Sequence, residues 1–259
     1  MLKGLYTAYT AMVNEQHRMD TMTNNLANAS TVGFKKEGAT SQCFSDVLTV
    51  KIKDRSDGHH AYAEHIGRNN PGVKIGENYT DYTQGSYRVT GNTYDLAIDG
   101  DGFFAIEFTN KAGETSTMYT RAGQFTLNKE GYLVNEDGDY VLDNQSRRIR
   151  LNTLLDSKID EDGTIYQNDT AVARIGLTDF EDYDYLEKYG ETYYRPIEGA
   201  RTTQANAVIN SGYLEMSNVQ VVSEMVNLIA ITRNYESSQK IIQTYDGSLE
   251  IAATQLGRV

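Results

Sequence analysis

A chain of 259 residues with 39% hydrophobic and 23% charged residues can bury a core, which excludes wholesale disorder. Its net charge of −12 repels phosphates and argues against a nucleic-acid partner. The single cysteine, Cys43, excludes an intrachain disulfide, and no apolar run reaches the roughly 18 residues that a membrane helix needs, so no membrane insertion is expected.

The first element is a helix over residues 2–27. Leu2, Leu5, Tyr9, Met12, Gln16, Met19, Thr23 and Leu26 advance by alternating three and four positions, which keeps them on one face. Gln16 and Thr23 are polar members of that stripe and can fix register. Small polar residues at Asn28–Ser30 compete for backbone hydrogen bonds and should end the helix, with Gly33 following. The stretch Gly4–Val13 lacks the cleavage site of a secretory signal, so export, if it occurs, is expected without one.

Residues 37–84 are polar and weakly periodic, with turn material at Asp54–His60, Asn69–Asn70 and Pro71–Gly72. They are expected to be a loop-rich connector. His59, His60, Glu64 and His65 look metal-like, but Ala61 stands where a His-x-x-Glu-His pattern needs its first histidine. A polar loop is the expectation, with no metal and no cofactor. Cys43 lacks the histidine and asparagine of a catalytic thiol and reads as a small buried residue.

Residues 85–200 read as antiparallel strands. Phe104, Ile106 and Phe108 alternate with Ala105 and Glu107, and Asn128–Gly131 and Glu136–Asp139 supply hairpin turns. Asp162–Gly163 before Ile165 repeats the theme, and Ala173–Leu177 is a further apolar strand. The acidic, tyrosine-rich stretch Glu181–Tyr194 suits an exposed loop or sheet edge. A calcium loop fails at Asp99-Gly100-Asp101-Gly102, because Ala97 and Phe108 fall at its first and last ligand positions; Asp162 fails likewise, with Lys158 first. Both sites read as tight turns. Residues 201–210 form a return linker.

The last element is a helix over residues 217–257. Ser217 or Asn218 is the expected cap, with Glu224 complementing the dipole. Leu228, Ile231, Tyr235, Ser238, Ile242, Tyr245, Leu249, Ala252 and Leu256 form its stripe, and Val219, Val222, Val226 and Ile229 a second apolar line. Gly247 is its weak point. Neither stripe is stable alone in water, so the two helices are expected to pair as a coiled coil; two ordinary helices packed on the β domain are the plainer alternative. The fold class is therefore α+β: a discontinuous helical domain from residues 1–36 and 211–259, and a central, mostly antiparallel β domain.

No phosphate-binding loop, dinucleotide fingerprint or nucleophile elbow is present, so no motif anchors a catalytic site. An adhesin displaying the β domain on a coiled stalk, or a hydrolase with its site in that domain, stays compatible with these features.

Three blocks carry a resemblance. They are Asn24-Asn25-Leu26-Ala27-Asn28 with Gly33-Phe34-Lys35-Lys36; Asp95–Phe104 with Tyr119–Phe125; and Ser211–Val219 with Glu224-Met225-Val226 and Arg233-Asn234-Tyr235-Glu236. Together they resemble the bacterial flagellar basal-body rod and hook proteins, as does Gly4-Leu5-Tyr6-Thr7-Ala8. The resemblance implies a non-enzymatic rod subunit that self-assembles into a torque-transmitting helical tube, terminal helices inward and β domain outward. It implies other rod and hook subunits and the flagellar type III export apparatus as partners, and an extracytoplasmic place in the basal body. Length and the Gly4-Leu5-Tyr6 start look more like the proximal rod (FlgF) type than the distal rod (FlgG) type, whereas Thr93 and the segment Ser41–Tyr79 depart from both. The expected subunit interface comprises Leu2, Leu5, Tyr9, Met12, Met19, Asn24, Asn25, Leu26, Ala27, Asn28, Gly33 and Phe34 at one end. At the other it comprises Ser217, Asn218, Val219, Val222, Val226, Ile229, Tyr235, Ile242, Leu249 and Leu256. The motif residues among them, Asn24, Asn25, Asn28, Gly33, Ser217 and Asn218, could instead serve the turns and helix ends alone.

Overall fold

The computed structural model describes residues 2–53, 62–111 and 113–256. A helix stands at each end, α1 over Leu2–Ala27 and α2 over Val221–Leu256, and the centre is antiparallel β. α1 stops where the Asn28 carbonyl accepts the Thr31 N–H at 3.2 Å and Asn28 Oδ1 accepts the Thr31 hydroxyl at 3.1 Å. α2 starts after the expected caps, because both are committed elsewhere. Ser217 Oγ accepts the Val219 N–H at 3.2 Å, and Asn218 Oδ1 accepts the Lys36 N–H at 2.8 Å.

The chain divides into two compact units. The first combines residues 1–26, 37–81 and 221–259. The expected loop-rich connector over residues 37–84 is not what forms: its described residues between 37 and 80 make two antiparallel strand pairs. Glu37–Cys43 pairs with Val73–Thr80, and Val47–Lys53 with Tyr62–Asn69. Their sequences lack apolar alternation because the ladder holds them with little apolar burial; most side chains of Glu37–Cys43 and Val73–Thr80 are exposed or half-buried. Cys43 is exposed rather than buried. The His59–His60 part of the metal-like cluster lies outside the described residues, and among the described residues no group of metal-binding side chains gathers.

The second unit combines residues 27–36 and 82–220. Its main sheet runs Leu186–Tyr189, Tyr193–Pro196, Thr115–Thr120, Phe103–Thr109, Tyr140–Val141, Leu133–Val134, Thr126–Leu127. Leu177–Phe180 branches onto Phe103–Thr109 and is paired in turn by Thr202–Gln204. The expected hairpins form: Leu127 faces Leu133 and Val134 faces Tyr140 across their turns. The apolar run Ala173–Leu177 is split between two strands, Thr170–Arg174 and Leu177–Phe180. The expected return linker is largely strand as well, since Val208–Ser211 pairs with Leu96–Asp99. Leu96, Ile98, Phe104, Ile106, Phe125 and Leu133 form one core, and Phe103, Phe180, Leu186 and Tyr194 a second. Phe103 and Phe104 point to opposite faces of one strand and so belong to different cores.

Candidate assembly surface and the buried ion cluster

On α2 the expected stripe is the less exposed face. Ile231 is buried; Leu228, Tyr235, Ser238, Ile242, Tyr245 and Ala252 are half-buried; Leu249 is exposed. The start of α1 touches this face: a Cβ on Gly4 would lie 2.9 Å from Tyr245 Cζ, so only glycine lets the ring sit there undisturbed. The second apolar line is open to solvent, with Val222 77%, Val226 61% and Ile229 54% exposed and Met225 beside them.

α1 divides differently. Its buried positions are Ala8, Asn14, Thr21 and Asn25. Asn14 and Ser41 exchange hydrogen bonds at 3.0 and 3.1 Å, and His17 bonds Asn78 at 3.0 Å, so a polar seam holds the helix to the strands. Of the expected apolar stripe, Leu5, Met12, Met19 and Leu26 are half-buried and Tyr9 is exposed, as are Asn24 and Ala27. Leu2 and Leu256 lie in the helices, but their side chains are outside the described set.

The remaining motif residues are covered within the chain. Asn25 binds Glu37 through both its amide groups. Phe34 is fully buried, with Lys188 Nζ 4.0 Å above its ring. Asn218 Nδ2 donates to the Thr83 carbonyl at 3.2 Å and to its hydroxyl at 3.0 Å. Ser217 and Val219 are buried. Gly33 adopts φ +69°, and a Cβ there would lie 2.7 Å from Ala122 Cα. Its N–H donates to the Glu215 carbonyl at 2.8 Å.

Around that contact sits a cluster that sequence reasoning missed. The Lys35 ammonium meets Glu215 Oε1 at 2.6 Å and donates to the Thr83 carbonyl at 2.8 Å. Arg121 Nη1 lies 3.5 Å from Glu215 Oε2, and its guanidinium rests 5.2 Å from the Phe103 ring centre. The Gly85 N–H donates to Glu215 Oε1 at 3.0 Å. The side chains of Lys35, Arg121 and Glu215 are 1%, 3% and 0% exposed. Nearby, burial first and then the Asp99 and Glu215 carboxylates push the Tyr87 hydroxyl up to about 12. The available signal was a lone charge in each of three apolar or glycine-bearing blocks: Gly33-Phe34-Lys35, Arg121-Ala122-Gly123 and Tyr213-Leu214-Glu215.

Three family models match the chain. The one described as "Flagella basal body rod protein" matches residues 5–35, and "Flagellar hook protein FlgE/F/G D1 domain" matches residues 97–167. "Flagellar basal body rod FlgEFG protein C-terminal" matches residues 210–256. The flagellar basal-body rod protein FlgG of Bacillus subtilis (strain 168) is 35% identical over 268 residues, covering 96% of this chain and 97% of that protein. The chain belongs to the flagellar basal-body rod protein family. Rod proteins named FlgF match equally fully. That of Caulobacter vibrioides is 33% identical over 261 residues and 100% of both chains, and that of Mesorhizobium japonicum 32% over 260 residues and 99% of both. Identity therefore does not separate the expected FlgF type from the FlgG type. As a rod protein the chain is a structural subunit of the flagellar basal body. Its ion cluster takes one member from each matched region: Lys35, Arg121 and Glu215.

Proposed function

We propose that this rod protein polymerises through its helical ends, each copy covering apolar surface that its neighbour leaves in water. The observation that carries the reading is the open line Val222, Met225, Val226 and Ile229 on α2. Covering such side chains is worth about 1.5–3 kcal/mol each, and a row of them on a charged, soluble surface marks an interaction site. The half-buried and exposed stripe of α1, namely Leu5, Tyr9, Met12 and Met19, completes the surface, and neighbouring helices close it as a coiled coil. Contacts of this kind join unlike faces, so repetition generates a helical tube rather than a closed dimer.

The partners are further copies and other rod and hook subunits. The chain leaves the cytoplasm through the flagellar type III apparatus, and the assembled tube transmits torque with its β domains outward. The FlgF position is our reading, supported by the near gap-free length of the FlgF alignments, 260 and 261 residues against 268 for the FlgG protein.

Replacing Val226 and Ile229 together by aspartate tests this. The expected monomer keeps its helical content and its unfolding free energy to within about 0.5 kcal/mol, while swimming and rod recovery are lost. Normal motility with that double variant would sink the proposal. Rescue of a strain lacking FlgF but not of one lacking FlgG supports the assigned position, and the reverse moves the chain to the distal rod.

A further inference from the structure

We infer that Lys35, Arg121 and Glu215 form a folding latch: the β-rich unit closes only once the segment bearing Glu215 has reached the segment bearing Lys35. Lys35 and Glu215 are 180 positions apart, yet bond at 2.6 Å with both side chains buried. Arg121 lies between them in sequence, directly after the strand Thr115–Thr120.

Two cations thus share one carboxylate in a site without solvent. Arg121 has no hydrogen-bond acceptor for Nε or Nη1 among the described residues, so the 3.5 Å approach of Glu215 Oε2 is its principal electrostatic compensation there. The stretch 82–200 carries most of the sheet and both cores and is apolar enough to collapse early. Doing so without Glu215 would bury the Arg121 guanidinium with no anion beside it, which is strongly unfavourable.

Glu215 resolves this, and its backbone joins the same event. Its carbonyl accepts the Gly33 N–H at 2.8 Å, and its strand Tyr213–Glu215 pairs with Tyr87–Val89. The carboxylate and the strand therefore arrive together, late in the chain, across a long loop whose closure is entropically costly. A chain that has not yet presented Glu215 stays open. The latch is independent of the rod assignment, because it concerns how one chain closes.

Refolding kinetics of the full chain test it, followed by far-UV circular dichroism after dilution from urea. Glu215→Gln is expected to refold about tenfold more slowly while its unfolding rate changes little, because contacts formed at the limiting step act on the folding rate. The charge-free triple variant Lys35→Met, Arg121→Met, Glu215→Leu is expected to refold at least as fast as the wild type. If Glu215→Gln refolds normally and only unfolds faster, the cluster is a staple on the finished domain and the latch is wrong. If Glu215→Gln does not fold, the triple variant decides alone: refolding supports the latch, and failure to fold overturns it.

Discussion

Asn25 treats Glu37 as a strand would. Its Nδ2 donates to the Glu37 carbonyl at 2.7 Å, and its Oδ1 accepts the Glu37 N–H at 2.9 Å. One side chain at the end of α1 thereby satisfies both backbone groups of the first residue of Glu37–Cys43. It fixes where the chain leaves the helix and enters the ladder with Val73–Thr80.

Asn25→Ala is therefore expected to lower stability by about 1–3 kcal/mol, the usual cost of leaving a buried polar partner unmet. Asn25→Asp keeps the acceptor and loses the donor, so it should fall between alanine and the wild type. Urea midpoints of the three proteins check the order. An aspartate variant weaker than alanine would instead point to charge repulsion with the Glu37 carbonyl.

Gly33→Ala should be more damaging than a positive φ alone requires. Gly33 has φ +69° and faces the Ala122 backbone, whereas Gly190 has φ +70° and nothing within 4 Å of where a Cβ would stand. Gly190→Ala thus measures the backbone cost by itself, about 1 kcal/mol. Gly33→Ala adds a collision with main chain that cannot move aside, for a total of at least about 2 kcal/mol. Equal losses at the two positions would mean that the Arg121–Ala122 segment yields.

What the sequence disclosed follows the same physics. The stripe of α2 and the hairpins at Asn128–Gly131 and Glu136–Asp139 were legible because apolar period and turn chemistry act over a few residues. The covered face of α1 was not, since Ala8, Asn14, Thr21 and Asn25 are small or polar and leave no hydrophobic period. The strands of residues 37–80 were hidden for a related reason: their backbones pair while most of their described side chains stay at least partly in water. Ser217 and Asn218 have the chemistry of helix caps, but Ser217 is used in a local turn onto the Val219 N–H and Asn218 in a tertiary contact with Lys36. Each member of the ion cluster was visible only as a lone charge in its own block, and nothing local pairs residues 180 positions apart.

The pair Arg148–Glu107 should make stability depend on pH in a defined direction. Arg148 grips the Glu107 carboxylate at 2.7 and 2.8 Å and lies 4.3 Å from the Tyr140 ring centre. Hydrogen bonding to Arg148 is the main cause that holds Glu107 below the ordinary glutamate range. A carboxyl depressed in the folded state stabilises above its unfolded pKa, and that stabilisation is lost as pH falls through the folded value. Glu107→Gln should then be less stable than the wild type at neutral pH, with the gap narrowing on acidification. Paired urea titrations, from neutral pH to the lowest pH at which both proteins fold, measure it. A gap independent of pH would show that the glutamine lost packing rather than charge.

The two faces of α1 should separate folding from assembly. Asn14→Ala breaks the exchange with Ser41 and is expected to cost the monomer about 1 kcal/mol, because that bond belongs to the chain's own fold. Tyr9→Ser removes an exposed ring and should leave the monomer within about 0.5 kcal/mol of the wild type, yet reduce swimming if neighbouring subunits cover that ring. Urea unfolding of the purified monomers and motility of the corresponding strains give the two readouts. A Tyr9→Ser monomer as destabilised as Asn14→Ala would mean that the ring is buried inside the chain in solution. The outward stripe of α1 would then have to be withdrawn from the assembly surface, leaving Val222, Met225, Val226 and Ile229 of α2 to hold the neighbour.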